Sequence, residues 1–353
     1  MSIPHSRTLP PPAPTELPYP PTEENRGRLE DWIREKYASS AFNQCSHQPL
    51  PLIKSSPPLK LYVDESARPV AVHKPVPIPM HWMKQVKEQL DKDVRLGVLE
   101  PVPVGDPVTW CSRMIVCPKK DGNPRRTVDL QCLNKVSARQ THATESPFSQ
   151  AVSVPKNTYK SVLDAWEGYH SVPLSEQDRH YTCFITPFGR YRYRTSPQGF
   201  LASGDGYTSR YDKIVAGFEN FTKCVDDSLL WGSSVEEAFH RNCAYLTLCS
   251  SNGIIFNKKK FVFSKKEVEF LGFEITEDSV RPAPSYMQAI QEFPTPKDIT
   301  GIRSWFGLVN QVAFAFSMTP VMKPFRDLLK PSSEFIWTDE LDKAFVESKD
   351  VIM

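Results

Sequence analysis

Two adjacent carboxylates, Asp226 and Asp227, stand between apolar, β-prone flanks in Lys223-Cys224-Val225-Asp226-Asp227-Ser228-Leu229-Leu230-Trp231. The run reads as a tight hairpin with both acids at its tip. Neighbouring side chains on such a tip project in different directions, so the pair rarely binds one metal alone and calls for a third carboxylate. Upstream, the apolar strand-like run Ser161-Val162-Leu163 ends in Asp164. Three carboxylates on neighbouring strand ends can hold two divalent ions roughly 3.5–4 Å apart, an arrangement that serves in-line phosphoryl or nucleotidyl displacement. An isolated Asp-Asp pair is more often a solvated turn, so the weight falls on what surrounds it.

The elements that must position these acids can be read from periodicity. Strand signals dominate from Trp110 to Ile275, joined by Gly and Pro turns. Upstream, Leu59-Lys60-Leu61-Tyr62-Val63 reads as a strand. Trp82, Val86, Leu90 and Val94 recur every four residues and mark an amphipathic helix that Gly97 can end. After Arg281 the pattern turns helical. Met287, Ile290 and Phe293 share one face, and Ile302, Trp305, Val309 and Val312 share another. Thr338 is a candidate N-cap for a last helix carrying Leu341, Ala344 and Phe345, whose apolar face is expected to need a further domain. Twelve of the 33 prolines fall in the first 60 residues and eight precede residue 22. Residues 1–21 are therefore expected as an extended, mobile tail, followed by a short helix over 29–37 and a second Pro-rich linker through Pro58.

A chain of 353 residues with a formal net charge of +2 can bury a full core, divides into two or more subdomains, and carries no global basic signal. Any nucleic-acid site must come from local clustering. No stretch approaches the roughly 20 apolar residues of a membrane span, and the N-terminus lacks the apolar core of a signal peptide. The eight cysteines include no Cys-x-x-Cys pair and read as buried thiols in a reducing compartment.

Four further segments could do chemistry. Cys117-Pro118-Lys119-Lys120-Asp121-Gly122-Asn123-Pro124-Arg125-Arg126 reads as a hairpin whose basic tip suits a triphosphate, although a charged exposed hairpin is the commoner outcome. In Asp164-Ala165-Trp166-Glu167-Gly168-Tyr169, Tyr169 offers a rigid face that could stack under a sugar and exclude a 2′-hydroxyl, where a lone tyrosine is usually core. In Tyr191-Arg192-Tyr193-Arg194-Thr195-Ser196-Pro197-Gln198-Gly199-Phe200, Gly199 permits close backbone approach and Gln198 can donate to a hydroxyl or base edge. Lys258, Lys259, Lys260, Lys265 and Lys266 flank Phe261-Val262-Phe263 and suit a phosphate backbone, though charge runs are usually solvated faces.

In their order these segments resemble the reverse transcriptase of gypsy-type LTR retrotransposons, over roughly Leu59 to Met353. SRMIVCPKKDGNPRRTVDLQCLNK is similar to the fingers hairpin, which implies that Lys119 and Arg125 bind the incoming triphosphate. LDAWEGYHSVPL resembles the first palm motif, making Asp164 a metal ligand and Tyr169 the steric gate. TPFGRYRYRTSPQGF resembles the second, with Gln198 and Gly199 lining the nucleotide pocket. KCVDDSLLW resembles the third, with Asp226 and Asp227. VEFLGFEI resembles the primer-gripping hairpin, centred on Leu271 and Gly272, and FPTPKDITGIRSWFGLVNQV resembles the start of the thumb.

The resemblance implies an α+β right-hand polymerase: an antiparallel-sheet palm, fingers and a helical thumb. The layout is a disordered tail over 1–58, a lead-in strand and helix over 59–106, fingers and palm over 107–276, and from 277 to 353 a thumb with the start of a connection to a ribonuclease H domain. It implies an RNA-directed DNA polymerase using two Mg²⁺ ions, with Mn²⁺ as substitute, acting on RNA/DNA primer–template and dNTPs without a membrane. One ion would activate the primer 3′-hydroxyl and the other steady the leaving pyrophosphate. Cytoplasmic replication particles, and either a homodimer or association with longer pol products, are further family expectations. The chain is expected to be a polyprotein fragment, with neither protease motif nor integrase zinc pattern. Cys224 departs from the family, which usually carries an aromatic there; altered fidelity or processivity is expected, with the metal ligands intact. The competing reading is a catalytically silent nucleic-acid-binding remnant or structural subunit.

Overall fold

The computed structural model describes residues 6–119, 121–313, 318–330 and 333–352; Lys120 of the basic hairpin lies outside them. The chain forms two compact units, Met1–Thr144 with Tyr159–Ser264, and Glu145–Thr158 with Lys265–Met353.

The first unit begins with α1 (Arg26–Lys36), β1 (Phe42–Asn43), α2 (Met83–Arg95), β2 (Leu99–Pro101), β3 (Ser112–Pro118), β4 (Pro124–Asp129) and α3 (Gln131–Lys135). The chain then lends α4 (Pro147–Val152) to the second unit. It returns with β5 (Tyr159–Asp164), β6 (Phe184–Thr186), β7 (Gly189–Tyr193), α5 (Ser203–Val215), β8 (Phe221–Cys224), β9 (Asp227–Gly232), α6 (Val235–Ser251), β10 (Phe256–Asn257) and β11 (Val262–Lys265). A four-stranded sheet in the order β11-β5-β9-β8 carries the acids, and a five-stranded sheet in the order β2-β7-β6-β3-β4 carries the basic hairpin. The expected helix at α2 forms, burying Val86 and Leu90, and Gly97 follows it at φ 74°.

Three expectations are corrected. The segment read as disordered packs into the core: Leu29, Ile33, Tyr37, Ala41 and Phe42 are all fully buried. Their spacing puts an apolar stripe on α1 that outweighs the flanking prolines, and β1 pairs in parallel with β10, Phe42 opposite Phe256. Arg7 extends this attachment by donating to the carbonyls of Pro49 and Phe42. Leu59–Val63 is not a strand but two isolated bridges, Leu59 to Leu174 and Val63 to Ser137. The strand-rich stretch also contains two buried helices. α5 inserts Tyr207 and Tyr211, and α6 inserts Phe239, Tyr245 and Leu246, into the core behind the acid-bearing sheet.

In the second unit, β12 (Val268–Phe270), β13 (Phe273–Ile275) and β14 (Val280–Pro282) form an antiparallel sheet. It is followed by α7 (Pro284–Gln291), α8 (Ile299–Asn310), α9 (Thr319–Arg326) and α10 (Asp339–Asp350). Ile302, Trp305 and Val309 form the buried face of α8 as their spacing requires. Thr338 caps α10 by accepting from Leu341 N–H at 3.3 Å. Leu341, Ala344 and Phe345 are buried within this unit, Phe345 edge-on to Trp305, so the apolar face of the last helix already has a partner. No helix among the described residues is long and apolar enough to cross a membrane.

Candidate active site

Asp164 ends β5 and Asp227 begins β9, and the antiparallel register sets the two directly opposite each other. Cys224 of β8 also faces Asp227. That leaves Val225 and Asp226 as the two-residue turn between β8 and β9. Val225 takes φ 52°, a region that glycine enters freely and a β-branched residue only under strain. This geometry refines the expected tip: Asp226 lies in the turn, while Asp227 is the first residue of the strand.

The strands beneath are locked by buried polar contacts. Ser228, next to Asp227, shares a ring of hydroxyls with Tyr211 of α5 and Tyr245 of α6, each pair 2.9–3.0 Å apart. On β5, the Ser161 hydroxyl accepts from Asn242 Nδ2 and from the Ser264 N–H, both at 2.9 Å. The Asp226 carbonyl accepts from Ala165 N–H at 2.8 Å, tying the turn to the residue after Asp164. Buried polar groups matched in this way hold a strand in one register.

Burial, then the charges of Asp227 and Asp164, push the Asp226 carboxyl up to about 6. Burial and Asp164 also raise Asp227, against the opposing pull of Lys260. Lys260 Nζ sits 2.8 Å from Asp164 Oδ2, and that contact raises the ammonium in turn. The sequence groups Lys260 with lysines suited to a phosphate backbone, or to a solvated face, and does not announce this contact with Asp164. The one available signal was its position close after the buried Phe256. Two nearby residues were also missed. Tyr207 is fully buried beside Asp226. Asn134 clamps the 199–201 loop, giving Nδ2 to the Gly199 carbonyl at 2.9 Å and taking Leu201 N–H at 3.0 Å.

Lys119, Arg125 and Gln198 line one cleft of about 340 Å³ together with Trp166, Glu167 and His170. The three acids are not among its lining residues. Arg125 is exposed opposite Cys117 on the hairpin, whereas Arg126 is turned back onto Asp93 and Gln89 of α2. Gly199 has φ 90°, and Tyr169 packs edge-on against Tyr207 at 5.7 Å. Leu271 and Gly272 form the β12–β13 turn, both at positive φ, and belong to the second unit.

Residues 117–275 match the family described as reverse transcriptase (RNA-dependent DNA polymerase). Over those residues the chain is similar to that family. It is 25% identical over 272 residues to the enzymatic polyprotein of cauliflower mosaic virus, covering 74% of this chain and 40% of that protein. It is 24% identical over 264 residues to the retrovirus-related Pol polyprotein from transposon opus of Drosophila melanogaster, covering 73% and 26%. The chain thus spans half or less of the length of these curated relatives. Among solved structures it is similar to a foamy viral protease-reverse transcriptase in complex with double-stranded DNA, with a TM-score of 0.80 at 21% identity, covering 97% of this chain and 62% of that one. The fold is the expected α+β reverse transcriptase class.

Reverse transcriptases use divalent metal ions, and the acids of this domain can be tested against that need. Asp164, Asp226 and Asp227 offer only oxygen donors, the set that hard cations take, and the Asp226 carboxyl is largely buried beside Tyr207. The donor chemistry fits. As placed, no three His, Cys, Asp or Glu side chains among the described residues converge closely enough to hold an ion. Lys260 lies on Asp164.

Proposed function

We propose that the chain is an RNA-directed DNA polymerase that extends a primer 3′-hydroxyl with dNTPs on an RNA or DNA template. The observation that carries this reading is the pairing of Asp164 against Asp227 with Asp226 in the adjoining turn. Burial and the neighbouring carboxylates raise the proton affinity of Asp226 and Asp227, and a fold retains such an arrangement where cations are to be held. Asp164, Asp226 and Asp227 would hold two Mg²⁺ ions, or Mn²⁺ in their place. A divalent ion there is a Lewis acid that stabilises charge developing on the transferring phosphoryl group.

The other residues bind and orient. Lys119 and Arg125 would grip the triphosphate. Arg126 is occupied by α2, so Arg125 is the freer of the two arginines to do so. Gln198 and Gly199 would border the nucleotide, and the Tyr169 ring, backed by Tyr207, would meet the sugar and exclude a 2′-hydroxyl. The Leu271–Gly272 turn would grip the primer. The solved foamy viral neighbour bound to double-stranded DNA supports a primer–template partner. Descent from a gypsy-type element, and assembly as a homodimer or with longer pol products, belong to the same proposal. The relatives include plant viral polyproteins as well as transposons.

Primer extension on an RNA template with Mg²⁺, beside Asp226→Asn, tests the reading. The parent is expected to extend and the variant to lose roughly 10²–10³-fold or more in rate, with duplex binding retained. Near-parent extension by Asp226→Asn overturns the assignment. Duplex binding by the parent without extension would instead identify a silent binding module.

A further inference from the structure

Tyr207 is fully buried on α5, where its hydroxyl meets the Asp226 carboxyl; the contact raises the phenol and lowers the acid. Neither Tyr207 Oη nor Asp226 Oδ1 has a hydrogen-bond partner elsewhere, whereas the equally buried Tyr211 and Tyr245 hydroxyls satisfy each other and Ser228. A Cβ on Gly168 would stand 2.7 Å from Tyr207 Oη and 2.6 Å from Asp226 Oδ1. The two oxygens therefore border the same space, no farther apart than the sum of those distances. One is an O–H donor and the other a carboxylate acceptor.

We infer that Tyr207 is a positioning residue, whose hydroxyl donates to Asp226 Oδ1 and turns the other carboxylate oxygen toward the substrate side of the site. The inference rests on reading Asp226 as a site carboxylate. The ring is fixed for this role, with Tyr169 edge-on at 5.7 Å and Tyr211 tilted at 5.7 Å. α5 is seated by the close approach of Leu59 to Gly206, where a Cβ would meet Leu59 Cδ1 at 2.8 Å. The phenol thus has little freedom to look for another partner. A carboxylate anchored through one oxygen presents the second in one direction, which is what rigid support around a site contributes. The same ring backs Tyr169, so one side chain braces both the proposed metal ligand and the proposed sugar-facing aromatic.

The test uses the full chain as parent, Tyr207→Phe, Asp226→Asn and the double variant. Mn²⁺ binding is measured by titration calorimetry without nucleic acid, with steady-state primer extension and urea midpoints alongside. Tyr207→Phe is expected to weaken Mn²⁺ binding and lower kcat by roughly tenfold each, the size of one charge-assisted hydrogen bond. KM for dNTP should stay unchanged. Parent-like Mn²⁺ affinity and kcat in Tyr207→Phe would overturn the proposal. If Asp226→Asn polymerises normally, the reading of the site fails instead, and the urea midpoints then decide the hydrogen bond. A double variant that departs from the sum of the single changes upholds it, and strict additivity overturns it.

Discussion

Gly168→Ala should separate the acid turn from its support with the addition of one methyl group. The Gly168 backbone is outside the left-handed region, so alanine can adopt it and the penalty is steric. The new Cβ would stand 2.5 Å from Tyr207 Cζ and 2.6 Å from Asp226 Oδ1, whereas comfortable contact begins near 3.5 Å. About 1 Å must be absorbed. Tyr207 is held between Tyr169 and Tyr211, so most of the displacement falls on the Asp226 carboxylate and its turn. Overpacking of this kind costs roughly 1–3 kcal/mol, or a fall of roughly 2–12 °C in Tm. A reacting group misplaced by about 1 Å costs on the order of 10²-fold in rate. Single-nucleotide extension and thermal melting on the same preparations measure both effects. Gly307→Ala in α8 is the control, since nothing lies within 4 Å of its Cβ position, and it should gain about 0.5–1 kcal/mol. A Gly168→Ala chain extending within twofold of the parent and melting within about a degree of it would refute the reasoning; these limits lie well below the expected effects.

Three further outcomes follow from the electrostatics and from the N-terminal packing. Asp226 is raised to about 6 from an ordinary 3.8, so between those values the folded chain holds a proton that the unfolded chain has lost. In chelator, that group's contribution to stability falls as pH rises from about 4 to 6. Asp226→Asn should therefore be more stable than the parent at pH 7, with the gap closing toward pH 4 in urea midpoints. Because cations need the carboxylate ionised, parent Mn²⁺ affinity should rise up to about tenfold per pH unit below 6 and level off above. Arg34 of α1 donates to the carbonyls of Lys258 and Phe261, on either side of Lys260. Arg34→Ala should cost about 1.5–3 kcal/mol and speed tryptic cleavage at Lys258–Lys260; an unchanged cleavage rate would mean that this loop is held by other contacts.

The parts of the molecule that were legible in sequence are those governed by local pattern. Val86 and Leu90 on α2, and Ile302, Trp305 and Val309 on α8, bury the faces that their spacing marks. The Asp-Asp hairpin also follows from its β-prone flanks. What escaped depends on partners far away in the chain. Asp164 was legible as the third acid on a neighbouring strand end, but not its exact register opposite Asp227, nor that one lysine of a charge run returns to Asp164. α5 and α6 were missed because helices buried on more than one side lose the polar stripe that makes a helix readable. In α1 the helix over 29–37 was legible and forms, but its burial was not: Leu29, Ile33 and Tyr37 recur every four residues, while the prolines around them dominated the composition.

The packing of α1 also sets the order in which the chain can fold. Tyr37 donates to the carbonyl of Cys243, 206 residues later, and β1 has no strand partner until β10 exists. At 5–20 residues per second, α1 would wait roughly 10–40 s on the ribosome for the strand and helix that cover it. Leu29 and Ile33 stay uncovered throughout that interval. The first unit therefore cannot mature from its N-terminus forward, and a nascent chain arrested before residue 243 leaves an amphipathic helix available to chaperones or to self-association.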